Sequence, residues 1–269
     1  MQLSDAELKA LNEGIYHRYK IDFSSYEPHS LKRRMSKAMA HFGFKNSVAL
    51  WDHLLYHQDF IYEFIDEITV QLTSLFRDAN FWIGLRKEIL PTFEASTPLH
   101  IWHAGCATGQ EVYSMMILLE ELNRLSQAYI TATDISQKAI NTTLEATYPL
   151  EELDNFKRSY LAAGGRKAVE KYLRETEVGW QFHQLAPTSL RIFQHNVAKD
   201  PVEKTYDLIF CRNVLIYFDV ALKAQVLERL HQSLKPEGLL LLGYFDTLPV
   251  MHEDLFERHH PRLKIFKKR

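Results

Sequence analysis

The chain has 269 residues, 46% of them hydrophobic and 25% charged, which is enough apolar side chain for one or two cores and excludes a disordered protein. Its formal net charge is −2 with a pI near 6.7, so no global basic field points to nucleic acid or to an anionic membrane surface. Cys106 and Cys211 lie in no disulfide or CxxC spacing, the thirteen histidines form no HExxH or Cys/His pattern, and no apolar run approaches the ~20 residues of a membrane span.

The first 75 or so residues read as entirely helical. The N-terminus is charged and amphipathic with no signal-peptide core, so a cytoplasmic location is expected. Ser4 and Glu7 make a capping box, after which Leu8, Leu11, Ile15 and Tyr19 recur at helical spacing. A second helix opens at Pro28 with Leu31, Met35, Ala38 and Phe42 on one face, and Gly43 is placed to stop it. Val48–His57 and Phe60–Val70 supply two more amphipathic segments.

The Pro28 helix carries Lys32, Arg33, Arg34 and Lys37, and with Lys45 the segment between His29 and Asn46 is +5. Met1–Leu75 as a whole holds eight basic and ten acidic residues, so the positive charge is concentrated on one element. An ordinary solvated face and a docking surface for an acidic helix both fit that pattern. Next, Asp78 is placed to cap a helix containing Phe81, Leu85 and Ile89, which Pro91 ends.

From Leu99 onward strand and helix patterns alternate. Strands are expected at Leu99–His103, Tyr129–Asp134, Leu190–His195, Tyr206–Cys211 and Leu239–Gly243, with helices at Val112–Leu125 and Val220–Leu234, the latter stopped by Lys-Pro-Glu-Gly at 235–238. Such alternation predicts a mostly parallel sheet with helices on both faces and ligands at the carboxyl ends of the strands. Asn155–Thr188, with its GWQFHQL run, reads as a small antiparallel insertion, and FERHH with LKIFKK as a hairpin closing the sheet edge.

The candidate ligand loop is LHIWHAGCATGQEVYS, residues 99–114, in which Gly105 and Gly109 bracket Cys106, Ala107 and Thr108. A loop with so little side-chain bulk lets backbone amides approach a ligand, although the same composition serves close helix packing. The three-glycine dinucleotide fingerprint is absent, which disfavours a nicotinamide or flavin. Asp134 ends the next strand, 29 positions beyond Gly105, where an acid can accept both hydroxyls of a ribose. Asn196-Val197 and Asn213-Val214 come after two further strands; an asparagine there can pair with an adenine ring or merely cap the next helix.

LTSLFRD with Phe81, WHAGCATGQEVYS, ATDIS, YDLIFCRNVLIYF and LKPEGLLLLGYFDTL together closely resemble the CheR family of chemotaxis-receptor methyltransferases, in order and over essentially the whole chain. The resemblance implies an α/β class I S-adenosylmethionine-dependent methyltransferase: a Rossmann-like, mostly parallel sheet with a C-terminal antiparallel hairpin, preceded by a small all-α domain. Its parts would be a helical domain at 1–75, a linker and connecting helix at 76–98, and the methyltransferase domain at 99–269 with a β insertion at about 170–190.

By position, the resemblance assigns the cofactor pocket to Gln71, Thr73, Arg77, Ala104, Gly105, Glu111, Asp134, Asn196, Val197, Asn213 and Val214. Asp134 would take the ribose, Asn196 would lie near the adenine, and Glu111 would offset the cofactor's positive charge. Arg77 and Tyr217 would face the reacting centre, and Lys32, Arg33, Arg34 and Lys37 would dock the substrate. Cys106 and Cys211 are expected to flank the cofactor as reduced thiols. S-adenosylmethionine is the implied cofactor, S-adenosylhomocysteine its product, and no metal is expected.

The implied partners are cytoplasmic helices of methyl-accepting chemoreceptors, met by a monomer that inserts into no membrane and binds no nucleic acid. The family's insertion can also bind a receptor's C-terminal peptide, but Gly179–Leu190 holds no motif that decides this. Two departures stand out. Gln110-Glu111-Val112-Tyr113-Ser114 replaces the usual Glu-Glu-Pro-Tyr-Ser, and Phe245-Asp246 replaces a serine-glutamate pair. A non-catalytic module that senses the cofactor, or a carboxyl methyltransferase acting on a non-receptor protein, are the alternative readings.

Overall fold

A computed structural model describes residues 3–19, 21, 23, 28–68, 73–183, 185–218, 220–249 and 254–269. Four helices come first: α1 (Asp5–Tyr19), α2 (Pro28–His41), α3 (Ser47–Tyr56) and α4 (Phe60–Ile68). The capping box forms as expected, with Ser4 N donating to Glu7 Oε2 at 2.8 Å and Glu7 N to Ser4 Oγ at 3.2 Å. Gly43, at φ +76°, takes the left-handed conformation that ends α2. Leu8, Leu11, Ile15, Leu31, Met35, Leu50, Phe64 and Ile65 bury one shared core. The four helices therefore satisfy one another's apolar faces.

The connecting segment runs through α5 (Ala79–Gly84), a wider turn at Leu85–Ile89 and a tight one at Leu90–Thr92. Asp78 does not cap this helix: its backbone is left-handed (φ 63°) and its side chain makes no capping bond. Arg212 takes that carboxylate instead, at 2.6 Å. The far end is closed by the buried Arg124, whose guanidinium donates to the carbonyls of Leu90 (2.9 Å), Phe93 (3.1 Å) and Glu94 (2.9 Å).

The remaining elements are β1 (Leu99–Ala104), α6 (Gln110–Glu121), β2 (Ala128–Asp134), α7 (Gln137–Glu145), β3 (Thr147–Tyr148), α8 (Leu153–Ala162), β4 (Leu173–Thr176), β5 (Gly179–Phe182), β6 (Ser189–Gln194), β7 (Tyr206–Cys211), α9 (Val220–Gln232), β8 (Leu234–Leu242), β9 (Phe256–Arg258) and β10 (Ile265–Lys268). The main sheet has the order β6-β2-β1-β7-β8-β10-β9. It is parallel from β6 to β8, and β10 pairs antiparallel with both β8 and β9. The expected C-terminal hairpin is present, with β10 as its inner strand. The small sheet β3-β5-β4 is antiparallel, but it takes in Thr147–Tyr148, ahead of the 170–190 expected for the insertion, and α8 occupies the start of the 155–188 stretch.

Strand order reverses between β1 and β7, so a crevice opens at their carboxyl ends. Successive β1 residues feed two cores: Ile101 faces α6 and the insertion, Trp102 faces α9. Lys-Pro-Glu-Gly proves to be an irregularity inside β8 rather than a gap before it. Tyr206 pairs with Leu234 but Leu208 with Leu239, and Glu237 absorbs the excess chain at φ 67°.

The helical bundle leans on the loops after β2 and β6. Ile135 packs against its core, Lys138 N donates to Asp66 Oδ2 at 3.5 Å, and Lys199 Nζ lies 5.8 Å from the Tyr19 ring centroid. Replacing Arg124 with methionine leaves its three carbonyls short of a donor, so Arg124→Met should cost about 3 kcal/mol, read as a lower urea midpoint with unchanged slope.

Candidate functional site

Most of the expected site residues sit where strands end. Ala104 closes β1 and is buried, Asp134 closes β2, Asn196-Val197 come after β6 and Asn213-Val214 after β7. Gly105, at φ +83°, occupies a conformation few other residues adopt, and a Cβ there would stand 2.4 Å from Val214 Cγ2. The loops after β1 and β7 are thus in direct contact, and only glycine lets them meet.

Two carboxylates fix the loops. Asp134 Oδ2 accepts from Ala107 N at 2.8 Å and Oδ1 from Ser136 N at 2.9 Å, which ties the glycine loop to the end of β2. Burial raises the Asp134 carboxyl above its ordinary value, with those amide bonds acting in opposition. Asp246 accepts from Asn213 N at 2.5 Å, Gly243 N at 2.8 Å and Ile216 N at 3.1 Å. It too is raised by burial against the pull of its amide donors.

Glu111, in the first turn of α6, is held between two partners. His103 Nδ1 meets Oε1 at 2.9 Å, and Arg212 Nη1 donates to Oε2 at 2.9 Å. Burial pushes the Glu111 carboxyl up, but the His103 hydrogen bond and the Arg212 charge outweigh it and leave the group below its ordinary value. The same guanidinium donates to Asp78 Oδ2 at 2.6 Å and to the Arg77 carbonyl at 3.3 Å, and lies 4.1 Å from the centroid of the Phe81 ring. One cation therefore serves two carboxylates, which leaves room for a second positive charge.

Arg77 is half-buried between Phe76 (φ 52°) and Asp78 (φ 63°), both left-handed. Besides Arg212, Phe76 N donating to the buried Ser114 Oγ at 2.8 Å and Trp82 Nε1 donating to the Arg77 carbonyl at 2.9 Å hold that strained backbone. Thr73 is half-buried just before it. Gln71 lies outside the described residues, and the Tyr217 side chain is likewise not described. Lys32, Arg33, Arg34 and Lys37 lie on α2, apart from the strand ends. There Lys32 pairs with Asp5 at 2.7 Å and Lys37 with Glu67 at 3.9 Å, so the basic face is partly neutralised from within.

Sequence reasoning missed His103, Arg212 and the clamping role of Asp246; an arginine after an apolar strand was the available signal. Cys106 and Cys211 are free thiols, just after β1 and at the end of β7, both buried, and desolvation pushes each well above its ordinary value. Asn196 is partly spent on its own loop, its Oδ1 accepting from Ala198 N at 2.9 Å. Asn213 Nδ2, by contrast, is buried with no hydrogen-bond partner among the described residues. Together with the Gly105 cradle and the strand-end Asp134, that orphaned donor fits a nucleoside ligand.

Residues 6–69 match the family described as CheR methyltransferase, all-alpha domain, and residues 71–264 match CheR methyltransferase, SAM binding domain. The chain belongs to the CheR methyltransferase family. A Pseudomonas putida protein called Cher3 is 31% identical to this CheR chain over 266 residues, covering 98% of it and 97% of Cher3. The chemotaxis protein methyltransferases of Borreliella burgdorferi and Escherichia coli are 29% and 28% identical, each covering 92% of this chain and 90% and 86% of their own. This CheR chain is a class I, S-adenosylmethionine-dependent methyltransferase built behind an all-α domain.

Breaking a buried ion pair from one side costs about 3–5 kcal/mol. Arg212→Met should destabilise this CheR protein by that amount in urea. It should also change the acid limb. Because Glu111 is held below 4.5, its stabilisation is complete above that pH and is lost as pH falls through the folded-state value. Without Arg212 that loss should shrink or reverse, which a series of urea melts from about pH 6 to pH 3 reads directly.

Proposed function

We propose that this protein transfers the methyl group of S-adenosylmethionine to glutamate side chains of methyl-accepting chemoreceptors, forming methyl esters. The observation that carries the reading is Arg77, an arginine fixed in a strained backbone whose carbonyl is bonded to the Glu111–Arg212–Asp78 cluster. It borders a site rich in carboxylates, where a substrate anion needs a cation to steer it. The names of the Borreliella burgdorferi and Escherichia coli relatives favour a chemotaxis substrate.

S-adenosylmethionine supplies an electrophilic methyl group on a positively charged sulfur. Asp134 would accept the ribose hydroxyls, the Gly105 loop and Val214 would shape the floor, and Asn196, Val197 and Asn213 would face the adenine side. Glu111 and Asp78 hold the negative charge that Arg212 leaves partly uncompensated. Thr73, Gln71 and Ala104 complete the pocket by position.

A glutamate side chain has a reference pKa near 4.3, so at neutral pH the nucleophile is already ionised and no general base is required. Arg77 and Tyr217 orient the carboxylate in line with the methyl group, with reacting atoms about 3 Å apart. Arg77 must position that anion without over-stabilising it, because charge disperses in the transition state. The basic residues of α2, Lys32, Arg33, Arg34 and Lys37, would meet an acidic receptor helix.

Tritiated methyl transfer to receptor-bearing membranes should yield base-labile methanol, and its absence with every receptor of the same cell would overturn the reading. Arg77→Ala should abolish transfer while leaving S-adenosylhomocysteine affinity largely intact; loss of both would make Arg77 a cofactor residue. Burial holds Asp134 above its ordinary 3.8, and only the ionised form is a full acceptor for the ribose. Affinity should therefore decline on acidification while pH is still above 3.8, and Asp134→Asn should bind weakly with a flatter pH profile, both read by calorimetry.

A further inference from the structure

The residues after β8 form a turn unlike an ordinary surface loop. Asp246 N donates to the Gly243 carbonyl at 3.1 Å, which puts Tyr244 and Phe245 at the two central positions. Turn tips are ordinarily polar, yet these rings are 72% and 67% exposed. They stand edge to face with centroids 5.1 Å apart at 87°, and Lys264 Nζ lies 5.9 Å from the Tyr244 centroid. Side-by-side aromatic rings exposed at a turn tip offer apolar surface of the kind interaction sites use.

Its footing is rigid. Asp246, the next residue, is only 1% exposed and binds the amides of Asn213 and Ile216, the latter adjacent to Tyr217. A Cβ on Gly243 would stand 2.5 Å from Asn213 N, so the turn is seated directly on the loop after β7. With Cα atoms about 3.8 Å apart along the chain, the Phe245 backbone lies within about 10 Å of Ile216. The aromatic at 245 is also where this sequence leaves the serine-glutamate pattern, so the anchoring acid persists while the exposed position is apolar.

We infer that Tyr244 and Phe245 are the apolar contact for the substrate helix and set its register over the reacting centre. On a helix, side chains three or four residues apart share a face, so an apolar residue on the face of the target glutamate is the group that would meet the rings. Lys264 Nζ donates to the Asp246 carbonyl at 2.6 Å beside the Tyr244 ring, so it braces the turn that presents the two aromatics. The inference rests on the proposed glutamate methylation and adds the substrate feature selected: a glutamate with an apolar neighbour on its own helical face.

The test is steady-state methylation of a soluble cytoplasmic fragment of a chemoreceptor from the same cell, alongside calorimetry with S-adenosylhomocysteine. Phe245→Ser should raise KM for the fragment about tenfold with kcat and cofactor affinity little changed, and Phe245→Leu should restore most of the KM. A KM unchanged in Phe245→Ser overturns the inference. So does cofactor affinity that falls in step with KM, which would make the turn part of the cofactor pocket. Failure of the unsubstituted protein to form any base-labile ester overturns the glutamate reading and this inference with it, whereas ester formation with an unchanged KM removes the inference alone.

Discussion

The Arg212 guanidinium is the hub on which the carboxyl end of the sheet depends. It reaches Glu111 at the start of α6, Asp78 and the Arg77 carbonyl in the connecting segment, and the face of Phe81, while its own backbone continues β7 into Asn213. Three segments far apart in sequence are thereby held by one planar, multi-donor group, which a lysine could not reproduce. Because Arg212 is buried and Glu111 largely so, either would otherwise be an expensive unpaired charge, whereas Asp78 meets the guanidinium from the exposed side. The arrangement is therefore specific as well as stabilising. The guanidinium that holds the Arg77 carbonyl also acts, with His103, to keep the Glu111 carboxyl below its ordinary value.

Around that hub, loop shape is set by buried carboxylates that collect backbone amides. Asp134 organises the glycine loop, and Asp246 organises the segment from Asn213 to Ile216. Backbone N–H groups at strand ends need partners, and a carboxylate serves several at once. Desolvation raises both acids, so the site is assembled from groups whose ionisation is already costly. Gly105 and Gly243 matter for the same reason: each stands where a side chain would push the loops apart.

The helical bundle is part of this site's surroundings rather than an appendage. Ile135, next to Asp134, packs against the bundle core, and Asp66 of α4 accepts from the backbone of α7. Any helix docked on α2 is thus linked through α4 to the loop that carries Asp134. Within the bundle, Lys32 pairs with Asp5 and Lys37 with Glu67, so the basic face of α2 is partly neutralised from within.

Periodicity and punctuation made most of the fold legible: the capping box at Ser4, the stop at Gly43, the apolar runs of β1 and β7, and the antiparallel insertion each arise from local chemistry. The strand-end positions of Asp134, Asn196 and Asn213 were legible too, because a strand pattern fixes where its carboxyl end falls. Pairing was not. Asp78 looked like a cap and became a partner of Arg212; Lys-Pro-Glu-Gly looked like a break and became an irregularity inside β8. By itself the sequence determined which segments are helix or strand, where the loops fall and which family they belong to, since those depend on neighbours in the chain. Only the tertiary structure decided that His103, Glu111, Arg212 and Asp78 form one network and that Asp246 clamps the loop beneath an exposed aromatic pair, because a buried charge takes its partner from whichever residue the fold brings within hydrogen-bond reach.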